Sequence, residues 1–133
     1  MITSIFVYGT LKRGQLRASQ WPRAPLDVAS ATTRGRLYDL GDYPALLPGD
    51  DLIAGEVWRM LPEDIDATLR VLDQIEGYDD SDDDLYKREI VACRVADGHA
   101  TKAFTYYFAR PLPEDFRVLP NSQGHCIWNA ANK

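Results

Sequence analysis

Histidine and cysteine are scarce: the 133 residues include two of each. His99 and His125 have no second strong ligand at metal-binding spacing, so a zinc site is not indicated. Cys93 and Cys126 stand far apart, which argues against a disulfide framework and for a reducing, cytoplasmic setting. Cys93 lies in an alternating apolar run and reads as a small core residue. His125 and Cys126 are neighbours, and successive side chains diverge on an extended chain. They read as a plain surface pair rather than a base and its nucleophile. No apolar run is long enough to cross a bilayer as a helix. The start, Met1 to Val7, has no basic n-region and no small-residue cleavage site, so a signal peptide is not expected. Clustered positive charge is missing too. The net charge is −5, and basic residues adjoin only at Lys12-Arg13 and Lys87-Arg88, which argues against a nucleic-acid footprint. Gly9 and Gly14 are isolated and make neither a P-loop nor a dinucleotide fingerprint. No cofactor, metal, nucleic acid or membrane partner is expected, and the oligomeric state is not legible.

The remaining composition, 45% hydrophobic and 26% charged, is that of a globular chain long enough to bury one core, and residues 1–133 read as a single domain. Ile2 to Tyr8 is apolar on both faces, as in a buried strand. Gly9-Thr10 ends it, and the glycine reads as a tight turn. Residues 14–27 read as a short helix at most, followed by a loop. A strand is expected through Thr32 to Tyr38, with turns at Gly41-Asp42-Tyr43-Pro44 and at Pro48-Gly49-Asp50-Asp51. Ile53 to Met60 alternates as a strand. Pro62-Glu63-Asp64 opens a helix whose apolar stripe is Ile65, Leu69, Leu72 and Ile75, with Gly77 as its C-terminal cap. Asp79 to Asp84 is a charge run expected to be a solvated loop. Tyr86–Val95 and Thr101–Ala109 read as strands joined by a hairpin at Ala96-Asp97-Gly98-His99. The tail from Pro111 reads as irregular, with Ile127-Trp128 docked on the body. Strands on both sides of one firm helix, without regular alternation, indicate an α+β fold with a curled, barrel-like sheet.

Two local features stand out. Tyr8-Gly9-Thr10-Leu11 follows a buried strand; it is either an ordinary turn or a nest whose backbone N–H groups bind a carboxylate or an oxyanion. Glu76 is the last helical residue. It is either an exposed end residue or a proton shuttle, since a carboxylate at the negative end of a helix is misplaced and misfits gather at functional sites. The dipole, Asp73 and the Asp79–Asp84 run should raise its pKa.

Five blocks in order carry a resemblance: Val7-Tyr8-Gly9-Thr10-Leu11, Gly35 to Ala45, Gly55-Glu56-Val57-Trp58, Leu72-Asp73-Gln74-Ile75-Glu76-Gly77-Tyr78, and Tyr86-Lys87-Arg88. From about residue 5 to about residue 108 the chain resembles the gamma-glutamylcyclotransferase-like superfamily, in particular the small branch with gamma-glutamylamine cyclotransferase and the avirulence-induced-gene-like proteins. The resemblance implies a compact mixed β-barrel of about five to seven strands with a flanking helix. It implies that Tyr8, Gly9, Thr10 and Leu11 cradle a gamma-glutamyl group and that Glu76 is the catalytic acid and base. The implied reaction closes a gamma-glutamyl amine or peptide to 5-oxoproline and frees the amine. Tyr43, Tyr78, Tyr86 and Tyr107 line the pocket on this reading, or are simply core and rim; Arg88 reads as structural. The acidic insert Asp79 to Asp84 and the Gly124–Asn129 tail depart from the family pattern. The alternatives are a non-catalytic binding protein of the same fold, or a superfamily enzyme for another gamma-glutamyl-like substrate.

Overall fold

The computed structural model describes residues 1–129. In chain order the elements are β1 (Ser4–Val7), β2 (Asp27–Asp39), β3 (Pro44–Arg59), α1 (Ile65–Glu76), β4 (Tyr86–Val95), β5 (Ala100–Phe108) and β6 (His125–Cys126). The strands lie in the order β1-β5-β4-β2-β3, and β1 also pairs with β3, so five strands close into a barrel. Closure leaves no edge among those five. β1 runs parallel to β5, the other barrel pairings are antiparallel, and β6 adds outside the closure, parallel to β3. This is the α+β mixed barrel that the sequence implied.

β1 is buried on both faces because it separates two cores. Ile5 and Val7 join Leu69, Leu72 and Tyr106 in the cluster beneath the helix. Phe6 and Tyr8 face the other way, with Leu37, Ile53, Val57 and Cys93, on the inner face of the barrel. Opposite them, a side chain at Gly55 would collide with the Val7 carbonyl and the Phe6 ring, so β1 approaches β3 where only glycine fits.

A single 3-10 turn, Pro62–Asp64, leads into α1. Ile65, Leu69 and Leu72 are buried against the barrel, each contributing about 1.5–3 kcal/mol by leaving water. The helix stops at Gly77, which adopts φ +70. The Gly77 N–H donates to Gln74 O at 3.2 Å and the Tyr78 N–H to Asp73 O at 2.8 Å, the paired bonds of a Schellman end.

Several sequence expectations need correction. Pro48 to Asp51 is not a turn: β3 continues through it, and the register with β2 shifts between Gly35 and Arg36. Pairing on both sides, Arg36 with Leu47 and Gly35 with Asp51, holds these turn-forming residues as a bulge in a long strand. β2 likewise runs well beyond Thr32–Tyr38, because β3 pairs with its full length. Gly9 has no positive φ; it is required because a Cβ there would strike the Pro44 ring. Asp84, within the run expected to be solvated, is buried. Cys126 is buried among the inner-face residues rather than at the surface. Trp128 docks as expected, whereas Ile127 is exposed. The expected domain extends over residues 130–133, which lie outside those described. Among the described residues, no helix is long and apolar enough to cross a membrane.

Candidate active site

Where β1 ends, the chain turns back on itself. The Lys12 N–H donates to Gly9 O (3.1 Å) and the Arg17 N–H to Thr10 O (2.8 Å). The turn thus uses its carbonyls internally, while the N–H groups of Thr10 and Leu11 meet no acceptor among the described residues. The loop is anchored firmly. Lys12 Nζ donates to Trp128 O at 2.7 Å, and the Arg13 N–H and Nε donate to the two Glu56 carboxylate oxygens at 2.9 and 3.0 Å. Trp21 donates from Nε1 to Leu11 O (3.0 Å) and stacks on Trp58 with ring centroids 4.0 Å apart.

Between this loop and the end of α1 lies a cavity of about 190 Å³, roughly the space of half a dozen waters at about 30 Å³ each. The end of β1 from Phe6 to Tyr8, the Gly9-Thr10-Leu11 loop and Arg17 form one side and Ile75 and Glu76 another; Tyr43, Pro44, Tyr86 and Tyr106 complete the wall. Of the residues expected at the pocket, Glu76, Tyr8, Gly9, Thr10, Leu11, Tyr43 and Tyr86 are brought together here. Tyr78 and Tyr107 are not among the lining residues. Tyr78, just past the left-handed Gly77, packs half-buried against the core cluster beneath the helix, its ring centroid 5.7 Å from the Arg88 guanidinium. Tyr107 packs against the inner-face cluster, and the alternation of β5 puts Tyr106 towards the cavity instead.

Glu76 is the only carboxylate among the lining residues. No described residue hydrogen-bonds or ion-pairs with it. Three of the four lining tyrosines have their hydroxyls committed elsewhere: Tyr8 to Tyr106 O (2.5 Å), Tyr86 to Pro44 O (2.9 Å), Tyr106 to Asp73 Oδ1 (2.6 Å). Burial without donors disfavours the charged form, and the Glu76 carboxyl is pushed up to about 7, with Arg17 pulling in the opposite direction. The direction matches the sequence expectation, but the leading cause is desolvation rather than acidic neighbours. Asp73, one turn earlier, has its charge met by Arg88 Nη1 at 2.5 Å and by the Tyr106 hydroxyl. The same burial raises the pKa of Tyr8, Tyr86 and Tyr106, so these phenols stay neutral. The cavity therefore holds one group poised to exchange a proton near neutral pH.

Sequence reasoning missed Phe6, Val7, Arg17, Pro44, Ile75 and Tyr106 as lining residues. Arg17 lies in a polar stretch without periodicity, and no local signal marked it. Tyr106 had one: it shares strand parity with Phe104 and Phe108, which pack towards the helix. Arg88 is structural, as expected: it pairs with Asp73 and lies 5.5 Å from the Phe104 ring. Among the described residues, no group of three His, Cys, Asp or Glu is placed to hold a metal ion.

A closed mixed barrel thus sets one donor-poor carboxylate across a cavity from a strand-end loop. Residues 5–128 match the family described as gamma-glutamyl cyclotransferase, AIG2-like, and the chain belongs to that family. The gamma-L-glutamyl-butirosin B gamma-glutamyl cyclotransferase of Niallia circulans is 33% identical over 109 residues, covering 80% of this chain and 67% of that protein. Two solved structures share the fold. YkqA from Bacillus subtilis aligns with a TM-score of 0.62 at 24% identity; the match covers 82% of this chain but only 36% of YkqA. A gamma-glutamyl cyclotransferase structure aligns at 0.53 with 16% identity, over 91% of this chain and 72% of its own.

Proposed function

We propose that this protein closes the gamma-glutamyl group of an amide to 5-oxoproline and releases the free amine, with Glu76 as both base and acid. The observation that carries the proposal is a carboxyl raised to about 7 by burial, in one cavity with the Gly9-Thr10-Leu11 loop. The name of the Niallia circulans relative supports the gamma-glutamyl part of this reading and leaves the leaving group open.

The nucleophile is already tethered to the substrate, so the site gains most by holding a folded, near-attack conformer. The Glu76 carboxylate takes a proton from the substrate's α-ammonium. The freed amine attacks the γ-carbonyl carbon, a C–N bond forms, and the carbonyl oxygen gains negative charge. The loop N–H groups, left without acceptors, suit that oxyanion. As the tetrahedral species collapses, the bond to the leaving nitrogen breaks and protonated Glu76 supplies the proton it needs. The restored carboxylate then takes the second proton from the ring nitrogen and passes it to the departing amine, which leaves as an ammonium, so two protons leave the α-nitrogen, two end on the amine and the carboxyl returns to its starting state. The cavity suits a glutamyl group, and Tyr43, 40% exposed and edge-on to Tyr86, supports an exit for the leaving group along the aromatic rim.

The test is incubation with gamma-glutamyl-alanine, gamma-glutamyl-ε-lysine, glutathione and a gamma-glutamyl alkylamine, with 5-oxoproline as the readout and Glu76→Gln as the control. Turnover by the wild type that the variant loses supports the reading. Thermal stabilisation by these compounds without 5-oxoproline would make the protein a binder, and the absence of both responses would withdraw the assignment.

A further inference from the structure

Arg17 is the only cation among the lining residues, as Glu76 is the only anion. The two feel each other, since Arg17 holds the Glu76 carboxyl lower than burial alone would, yet they form no direct ion pair among the described residues. The Arg17 guanidinium has no hydrogen-bond or ion-pair partner there at all. Among the other arginines, Arg13, Arg23, Arg36, Arg59, Arg88 and Arg117 pair with carboxylates, Arg34, Arg94 and Arg110 donate to backbone carbonyls, and only the exposed Arg70 shares the lack of a partner. The backbone of Arg17 is fixed: its N–H donates to Thr10 O at 2.8 Å and its carbonyl accepts from the Gln20 N–H at 3.0 Å. A half-buried guanidinium, held on an anchored loop and left open in a cavity wall, is a receptor for an anion brought by the ligand.

Resting on the gamma-glutamyl reading above, we infer that Arg17 and Glu76 together receive the α-amino-acid head of the substrate, Arg17 taking its α-carboxylate while Glu76 faces its α-amine. The two charges of that head sit on one carbon atom. A cavity wall with one positive and one negative side chain, near each other but not joined, is complementary to it. Two consequences follow. The amides of the Gly9-Thr10-Leu11 loop are free for the γ-carbonyl oxygen rather than the α-carboxylate. The substrate class narrows to compounds whose glutamyl amine and α-carboxylate are both unblocked, whatever amine is attached at the γ-position.

The test compares two ligands that differ only in the α-carboxylate, L-glutamine and 4-aminobutanamide, by isothermal titration against wild type, Arg17→Gln and Arg17→Lys. Charge-assisted bonds of this kind discriminate by about 10- to 100-fold. The wild type is expected to prefer L-glutamine by that factor, Arg17→Gln to bind both ligands alike, and Arg17→Lys to keep part of the preference. Equal weakening of both ligands by Arg17→Gln, a preference that survives the substitution, or no binding of L-glutamine by the wild type would overturn the inference. Unchanged melting temperatures establish that the variants fold, as expected for a side chain with no internal partner. Titration needs no turnover, so failure of the cyclisation reading registers separately, as absence of 5-oxoproline from every gamma-glutamyl compound.

Discussion

Two acidic residues eight positions apart, Glu76 and Asp84, are both drawn in from solvent, and their carboxyls move in opposite directions. Asp84 is 6% exposed. It accepts from the Asp79 N–H and the Ser81 N–H, both at 3.1 Å, and from the Ser81 hydroxyl at 3.3 Å. Burial pushes its carboxyl up, but the Ser81 and Asp79 hydrogen bonds outweigh that and leave it below the ordinary value. Glu76 is half-buried and has no donors, and desolvation raises its carboxyl to about 7. The difference shows what raises a carboxyl's pKa: withdrawal from water with no replacement for the lost hydrogen bonds. Asp84 is a staple for its loop, and Glu76 is held ready to exchange a proton.

The strongest way to break this comparison is Glu76→Gln. It is expected to lower kcat for 5-oxoproline formation by about 10²- to 10⁴-fold while the protein stays folded by circular dichroism. In the wild type, kcat/KM is expected to rise with pH through a midpoint of about 7, falling about tenfold per pH unit below it, because the carboxylate is the active form of the base.

Stability supplies the next test. The folded carboxyl of Glu76 lies near 7, above its unfolded value near 4.5. Its contribution to stability is therefore fully present below pH 4.5 and is lost as pH rises through 7. At about 1.4 kcal/mol for each pH unit the ceiling on that loss is about 3 kcal/mol. Glu76→Gln should thus be more stable than wild type in urea titrations at pH 8 and lose that advantage near pH 4.5. Asp73→Asn is expected to cost about 1.5–3 kcal/mol, since it breaks the charge-assisted bond from Arg88. It should also lower kcat more than it changes KM, because it loosens the helical turn that carries Glu76.

The smallest effect sharpens the contrast. Asp84→Asn should lower the melting temperature at pH 7 and leave kcat unchanged. Its carboxyl is depressed in the folded state, so its stabilisation is present above pH 3.8 and is lost as pH falls below that value. The melting temperatures of variant and wild type should converge in acid.

Much of this was legible in the sequence. The doubly apolar β1, the helical stripe through Ile65, Leu69 and Leu72, and the stop at Gly77 are written in spacings of one to four residues. Glu76 stood out because a carboxylate ends a helix where a cation belongs. The misreadings share one cause. Pro48-Gly49-Asp50-Asp51 has the composition of a turn, and only pairing with β2, more than ten residues away, holds it within a strand. Tyr107 and Tyr106 are indistinguishable by type, and the face of β5 that meets the cavity follows from its register with β4. Asp84 looks like its acidic neighbours until the loop folds back to present two amides to it.

By itself the sequence determined the doubly apolar first strand, the helix and its stop, and a carboxylate placed at the mouth of a left-handed glycine turn. Only the tertiary structure decided what that carboxylate is. Its surroundings come from segments that converge when the barrel closes: the loop from Tyr8 to Arg17, the hairpin at Tyr43-Pro44, and the tyrosines of β4 and β5. Capping and periodicity act between near neighbours and can be read along the chain. Desolvation, and the hydrogen-bond partners that answer it, depend on which distant residues arrive and where their hydroxyls are already engaged.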